Sequence, residues 1–399
     1  MNDMKNKVYR LDELCDIKSG KRIPKKMDFV KFETEHPYIR ARDIKEGKIN
    51  TDDLIYLEDD VFQKIKRYII NSGDIAITIV GASVGDTGYA SKNVDGYNLT
   101  ENAVRLTNYK NNVDSKFLHY VLAQKQYHDY MQLIAGAAAQ PKLGIYKVKR
   151  IKVELPDLKK QERIADILST NDNLIENNNK RIKLLEQMAE NLYKEWFVRF
   201  RFPGFEDVEF ENGIPKGWKI EILSDIADII MGQSPESENY NTNCVGLPFH
   251  QGVGSYGDFY LIDGVYSTRG NRIAEANSII FSVRAPVGRI NITLNKIILG
   301  RGVAGINSVK GYNAYLLWML KNQFQQEDII GNGSIFASVT KKELFGFKIL
   351  MPNEDLIQKF DSIVSGIESV MRKISLINSN LEKQRDMLLP RLMSGRLEV

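Results

Sequence analysis

The chain repeats itself, and this internal repeat limits its possible folds more than any other feature. Four segments of the first half recur in the second half in the same order. The pairs are YRLDELCDIKSG (9–20) with IEILSDIADIIMG (220–232), GDIAITIVGASVG (73–85) with NSIIFSVRAPVG (277–288), KFLHYVLAQ (116–124) with AYLLWMLKN (314–322), and GAAAQPKLGIYKVKRIKVELP (136–156) with GSIFASVTKKELFGFKILMP (333–352). Ordered matches of this kind indicate a duplication.

The repeat predicts four parts of the chain. These are module one (1–155), a central helix with a linker (156–212), module two (213–351) and a C-terminal helix (352–399). Proline and glycine residues interrupt the segment 200–218, as is typical of a linker. A chain of 399 residues is also longer than one core usually organises, which favours more than one domain.

Each module has the pattern of a strand-rich α+β domain. Short runs rich in Ile, Val and Tyr, such as DIAITIV (74–80) and IKVEL (151–155), are separated by Gly, Asp and Asn. The prediction is a curved or barrel-like sheet with a few small helices in each module.

The segments after each module predict helices of ~40 residues, which would be ~60 Å long. In the first helix the apolar positions step by threes and fours, at Ile164, Ile167, Leu168, Leu174, Ile175, Ile182, Leu185, Met188, Leu192 and Trp196. In the second they are Ile363, Ile367, Val370, Ile374, Ile377, Leu381 and Leu388, assigned to heptad positions a and d.

Long single helices need a partner. An antiparallel coiled coil of the two helices, with a module at each end and a pseudo-two-fold axis, is the favoured arrangement. The alternative is that each helix packs only on its own module.

Composition excludes several classes of protein. Two cysteines are too few for a disulfide framework, and four dispersed histidines lack metal-ligand spacing. No leader and no run of about 18 apolar residues is visible, so a cytoplasmic location is expected. GVGSYG (252–257) precedes a strand-like run rather than a helix, which argues against a dinucleotide site. We find no catalytic constellation and predict no metal and no cofactor on this chain.

Neither module has a large excess of basic over acidic residues, so nucleic-acid binding would need local basic patches. Module one holds 25 Lys and Arg against 20 Asp and Glu within residues 1–150, and module two holds 13 against 11. In PYIRARDI (37–44) a strand would place Tyr38, Arg40 and Arg42 on one face, suited to phosphate or guanine. The alternative is that these arginines pair with local acids such as Asp43.

Further DNA-binding candidates follow from the same argument. In module one they are Lys21, Arg22, Gln140 and Lys142, and in module two His250, Gln251, Arg269, Arg284, Arg289, Arg301 and Lys341. Arg272, Lys342 and Asn332 are further candidates in module two. Differing polar loops on one repeated scaffold are what two readers of two different sequences would need.

The chain resembles the specificity (S) subunits of type I restriction-modification systems. The motifs that carry the resemblance are QPKLGIYKVKRIKVELPDLKKQERIADIL, LLEQMAENLYKEWFVRFRFPG and LEKQRDMLLPRLMSGRLEV, together with the openings of both modules. The resemblance covers essentially the whole chain. Module two departs from it at Phe336–Ala337–Ser338, where module one has Gln140–Pro141–Lys142.

The resemblance implies two target recognition domains, each reading one half of a split, asymmetric sequence in double-stranded DNA. It implies that the helices measure the gap and dock two methyltransferase (modification) subunits. Those methyltransferase subunits would bind S-adenosylmethionine, and restriction subunits with ATP-driven translocase and nuclease activity would join the complex. The chain itself would not be catalytic. Two alternatives stay open, an enzyme that acts on nucleic acid alone and a coiled-coil scaffold that does not bind DNA.

Overall fold

The computed structural model describes residues 6–136, 140–329, 338–393 and 397. These residues divide into two compact units, one of residues 1–175 with 380–399 and one of residues 176–379. Unit one therefore contains module one, and unit two contains module two. The predicted four-part division stays a prediction.

Module one contains eleven strands and five helices among its described residues. The strands are β1 Lys7–Arg10, β2 Asp16–Ser19, β3 Pro37–Ile39, β4 Ile44–Lys45, β5 Lys48–Ile49, β6 Ile55–Tyr56, β7 Ile75–Thr78, β8 Thr87–Tyr89, β9 Asn98–Leu99, β10 Ala103–Thr107 and β11 Lys152–Leu155. The helices are α1 Leu11–Leu14, α2 Asp59–Ile65, α3 Ser115–Leu122, α4 Lys125–Ala135 and α5 Ile145–Lys149. The long helix α6 follows at Leu158–Tyr193, and a π-helical turn, Lys194–Val198, continues it.

Module two follows two short linker strands, β12 Phe210–Glu211 and β13 Ile214–Pro215. Its strands are β14 Lys219–Ile222, β15 Ala227–Met231, β16 Tyr240–Asn241, β17 Leu247–His250, β18 Tyr266–Ser267, β19 Ile273–Ala274, β20 Ile279–Ser282, β21 Ile290–Ile292, β22 Ile297–Leu299, β23 Val303–Ser308 and β24 Lys348–Met351. Its helices are α7 Leu223–Ile226, α8 Asn313–Ile329 and α9 Lys341–Phe345, and the chain then enters α10, Glu354–Met393.

The four-stranded sheet and the pair of terminal strands confirm the duplication. Module one has a four-stranded sheet in the order β2-β10-β7-β8, and module two has β15-β23-β20-β21 in the same order. The first and last strands of each module pair antiparallel, β1 with β11 and β14 with β24. The predicted α+β fold of two repeated, strand-rich modules and two long helices is confirmed.

Buried aliphatic side chains explain why the central strands form. Every residue of β7 (IAIT), β10 (AVRLT) and β20 (IIFS) is buried. Alternate residues of a strand belong to different hydrophobic clusters, as Ile75 and Ile77 do to one and Ala76 to another, so both faces are covered. Arg105 in β10 is tolerated because its guanidinium lies 3.1 Å from the buried Asp74 carboxylate. A buried charge without such a partner would be costly.

Within unit one, the long helices share a core with module one. Ile164 and Leu168 of α6 and Leu392 of α10 are buried in it, and Leu388 packs against it. Arg385 of α10 donates a 3.0 Å hydrogen bond to Asp172 of α6.

Within unit two, α6 and α10 pack on each other in opposite directions. Asn178 bonds to Asn378 at 2.8 Å, and the rings of Tyr193 and Phe360 lie 5.9 Å apart. As residue numbers rise along α6, those of the contacted residues fall along α10. The alternative of two helices that each contact only a module is therefore wrong.

The interface residues predicted on the helices are all sheltered from solvent. Ile164, Leu168, Ile175, Ile182, Trp196 and Ile374 are buried, and Leu185, Leu192, Ile367, Leu381 and Leu388 are partly buried. One of the two heptad positions predicted on α10 is wrong. Ile363, Val370 and Ile377 are 49%, 42% and 51% exposed, whereas Val364, Met371 and Asn378 are buried.

Each wrongly predicted residue on α10 directly precedes a buried one, and two of those buried residues, Val364 and Met371, are also apolar, so spacing alone does not separate the two rows. Phe360, Val364, Ile367, Met371, Ile374 and Asn378 follow one another at alternating steps of four and three. A search for apolar residues alone passes over Asn378. On α6, Ile167, Leu174 and Met188 were also misassigned, because they are exposed beside the buried row.

Among the described residues, no helix combines the length and apolar character that a membrane crossing requires.

Candidate nucleic-acid interface

The duplication places Arg40 and Gln251 at equivalent positions. In module one β3 runs parallel to β9, with Ile39 beside Leu99, and in module two β17 runs parallel to β22, with His250 beside Leu299. The residue that follows each strand, Arg40 or Gln251, leads into a short 3-10 turn, Ala41–Asp43 or Val253–Ser255. Two corresponding loops thus carry different polar side chains.

The predicted shared strand face of Tyr38, Arg40 and Arg42 is wrong, because β3 ends at Ile39. Asp43 accepts bonds from the Arg40 backbone N–H (2.7 Å) and from its guanidinium Nε (2.9 Å) and Nη2 (2.8 Å). These bonds turn the chain into the 3-10 segment. They also raise the pKa of Arg40, because the Asp43 carboxylate stabilises the charged guanidinium. Arg40 therefore shapes the loop, which is the alternative that the sequence left open.

Arg42 is the more accessible of the two arginines. Its side chain is 64% exposed and lies 2.6 Å from Asp53, whose carboxylate is 83% exposed. Exposed pairs of this kind contribute little to stability. Arg42 therefore stays accessible, while Asp53 also lies 3.4 Å from the Arg40 guanidinium.

Tyr38 is excluded as a base contact because only 2% of it is exposed. Its hydroxyl donates a 2.9 Å hydrogen bond to the Lys21 carbonyl, and its ring lies 4.8 Å from that of Phe29. Burial raises the pKa of Tyr38 to about 12, with a smaller contribution from the Glu101 charge. Tyr38 supports the loop that carries Lys21 and Arg22.

His250 is excluded as a base reader for a similar reason. It is 1% exposed, its Nδ1 lies 2.8 Å from the Ser255 hydroxyl and its Nε2 lies 3.0 Å from Asp263. Both ring nitrogens are occupied, so none is left for a base. The neighbouring Gln251 is exposed and keeps its amide available.

A second pair of equivalent loops lies at the end of the central strands. In module one Lys142 forms a β-bridge with Val80, and in module two Ser338 forms one with Arg284. The departure of module two from Gln140–Pro141–Lys142 therefore leaves the backbone arrangement at Ser338 unchanged. Phe336, Ala337 and Asn332 lie outside the described residues. Gln140, Lys142 and Arg284 are exposed, so their side chains can reach a ligand.

At a third pair of equivalent positions, an acidic residue of module one, Glu101, is replaced by a basic residue of module two, Arg301. In module one the exposed Arg22 lies 2.5 Å from Glu101. In module two the matching positions are Ser234 and Arg301, and the Arg301 N–H donates to the Ser234 hydroxyl at 3.2 Å. Glu101 and Asp53 are arginine partners that no sequence pattern indicates, because only the fold brings them into contact with Arg22 and Arg42.

The other predicted residues are also exposed. These are Lys21, Arg269, Arg289 and Lys341, along with Arg272 and Lys342. Arg284 and Arg289 flank the turn between β20 and β21, and Arg269 follows β18. Within the described ranges, no group of three or more His, Cys, Asp or Glu residues could hold a metal ion.

Comparisons with known proteins agree with this duplicated architecture. A family model described as the type I restriction modification DNA specificity domain matches residues 4–187 and again residues 215–384. The putative type I restriction enzyme MjaX specificity subunit of Methanocaldococcus jannaschii is 29% identical over 373 residues, which cover 91% of this chain and 88% of that protein. The type I restriction enzyme HindI specificity subunit of Haemophilus influenzae is 21% identical over 403 residues, covering 82% of this chain and 87% of that protein.

A solved structure supports the same fold. The type I restriction-modification S subunit from M. genitalium superposes with a TM-score of 0.60 at 17% identity, over 98% of this chain and 97% of that one. Since the family model covers both repeats and most of the sequence, the chain belongs to the type I restriction-modification DNA specificity subunit family.

Proposed function

We propose that each module reads one half of a bipartite, asymmetric DNA sequence and that the paired helices set the distance between the two halves. The observation that carries this proposal is the duplicated scaffold with different polar side chains at equivalent positions. The loop after β3, which carries Arg40 and the exposed Arg42, corresponds to the loop after β17, which carries Gln251, and Glu101 corresponds to Arg301. Arginine suits guanine, and glutamine suits adenine. Two such loops on one scaffold would select two different half-sites.

The helices also offer a surface for partner subunits. In unit two, Ile363, Val370 and Ile377 stand one heptad apart on α10 and are 49%, 42% and 51% exposed. In unit one, Ile167 and Leu174 of α6 are likewise one heptad apart, and they are 37% and 47% exposed. Regular apolar rows on an exposed helix face are typical of protein interfaces. We assign them to two methyltransferase subunits.

In this proposal the chain is a non-catalytic recognition subunit in the cytoplasm. The methyltransferase partners would bind S-adenosylmethionine and methylate adenine, and restriction subunits would bind ATP, translocate DNA and cut it. The chain itself would need no cofactor, because its contribution is to select the DNA and to hold the partners on it.

The experiment is methylome sequencing of cells that carry the chain together with its methyltransferase subunit. The expected result is methylated adenine within one split motif that has a constant gap. Methylation of a continuous motif would contradict the proposal, and so would methylation that persists unchanged when this chain is deleted.

A further inference from the structure

The loop of residues 20–33 in module one is fixed at both ends. The Lys21 N–H donates to the Leu99 carbonyl at 2.8 Å, and Val30 and Tyr56 exchange two backbone hydrogen bonds of 3.0 Å. Between these points the chain turns at Lys26, which has a φ of 68°. The loop is therefore an ordered part of the module.

A small hydrophobic cluster holds this loop from below. Tyr38, Leu57, Val61 and Ile65 are buried, and Ile23 and Met27 of the loop pack against them. The ring of Phe29 rests on Tyr38. Ile23 and Met27 point inward, whereas Phe32 is 63% exposed beside the charged side chains of the loop.

The exposed side chains form a basic surface, which we define as Lys25, Lys26, Lys31 and Lys64. All four are exposed. Lys64 belongs to α2, and its Nζ lies 3.5 Å from the Met27 sulfur, which brings the helix and the loop together. Lys66 and Arg67 follow α2 and are also exposed. Asp28 and Glu33 are exposed acids in the same loop, so the lysines outnumber the acids without standing alone.

Module two has the same loop with the opposite charge. The Gln233 N–H donates to the Leu299 carbonyl at 2.9 Å, and the Tyr240 ring stacks on Phe249 at 4.6 Å, as Phe29 lies against Tyr38 in module one. The sequence of this loop, GQSPESENYNTNCVG (232–246), contains two glutamates and neither lysine nor arginine. The next basic side chains along module two are Arg269 and Arg272, which follow β18 and are exposed.

We propose that the basic surface of module one holds the phosphate backbone of duplex DNA, and that the corresponding loop of module two does not. Lysine ammonium groups are compact point charges that suit phosphates, whereas base edges are read by planar, forked side chains. Phosphate contacts fix the orientation of a protein on DNA without selecting its sequence. This inference rests on the proposed function, since it assumes that module one lies on DNA.

The test is a salt titration of duplex binding by the assembled complex with its methyltransferase subunits. The variant carries Lys25→Gln, Lys26→Gln and Lys31→Gln, and the control carries Lys92→Gln, Lys110→Gln and Lys159→Gln, three exposed lysines elsewhere. Each phosphate contact contributes ~0.9 to the slope of log affinity against log salt, so the variant slope should be less steep by about 2.7. The motif duplex and an unrelated duplex should lose affinity equally.

A reciprocal variant adds charge to module two. Glu236→Lys with Glu238→Lys alters two exposed residues and should steepen the slope by creating phosphate contacts on the matching loop. Three results would overturn the inference: the lysine variant keeps the wild-type slope, it loses affinity only for the motif duplex, or it loses methyltransferase binding while its DNA slope is unchanged.

The wild-type complex separates this inference from the proposed function. If it shows no preference for its methylated motif over an unrelated duplex, the proposed function fails whatever the slopes are. If it discriminates between the duplexes but the lysine variant matches the control, only the phosphate surface is wrong.

Discussion

Asn178 donates a 2.8 Å side-chain hydrogen bond to Asn378, which joins the two long helices within unit two. The amide nitrogen of Asn378 in turn donates to Asn179 at 2.8 Å. Asn378 is only 7% exposed, and it stands in the buried row of α10 between apolar residues. A polar residue in such a row costs stability but restricts how the helices can pair, because its hydrogen bonds form in only one register.

This pair predicts non-additive effects on stability. Asn178→Leu alone leaves the Asn378 carbonyl oxygen without its donor and should cost about 1–3 kcal/mol. Adding Asn378→Leu removes the unpaired group, so the double variant should recover that loss or exceed the wild type. Urea unfolding followed by circular dichroism measures both, with the exposed Asn177→Leu as the control. A double variant less stable than either single variant would contradict this explanation.

The buried carboxyl group of Glu368 should make the free energy of unfolding depend on pH. Burial raises its pKa to about 7, although the Trp318 indole N–H donates to it at 3.1 Å and acts in the other direction. The folded state thus favours the neutral acid. The resulting stability is complete below the unfolded value of about 4.5 and is lost as pH rises through about 7.

Glu368→Gln removes this loss while keeping an oxygen for Trp318 to donate to. The variant should match the wild type near pH 4 and exceed it by about 3 kcal/mol well above pH 7. Thermal unfolding across this range checks the prediction, with the exposed Glu382→Gln as the control. Parallel curves for variant and wild type would show that Glu368 does not titrate as described.

Substitutions of Arg42 and Gln251 should relax base selectivity in opposite halves of the DNA motif. Arg42→Ala should weaken binding by about 1–3 kcal/mol and relax selectivity in one half, and Gln251→Ala should do the same in the other. Competition between duplexes altered at single positions measures this, with Lys92→Ala as the control. If either variant weakens all duplexes alike, its residue contacts phosphate rather than a base.

The sequence was sufficient to predict the repeated modules and the long helices, because both depend on periodic patterns. It failed where one contact overrides a pattern. Arg40 continues an alternating strand pattern, but its bonds to Asp43 end the strand. Asn378 breaks an apolar pattern and yet is buried, because two asparagines satisfy its amide.

The residue types of the candidate site could be predicted from the sequence, but not which individual residues are accessible. Lysines and arginines on turns were correctly expected at the surface. Tyr38 and His250 were misassigned because their burial depends on partners distant in sequence or on loop geometry, such as the Lys21 carbonyl and Asp263. A single sequence carries no signal for such contacts.

The most direct test of the central claim is to exchange module two (213–351) for that of a related specificity subunit and to sequence the methylome. The account predicts a hybrid motif, in which the half read by module one and the gap are retained and only the other half changes. A motif that changes in both halves, or one that does not change at all, would contradict independent reading by two modules.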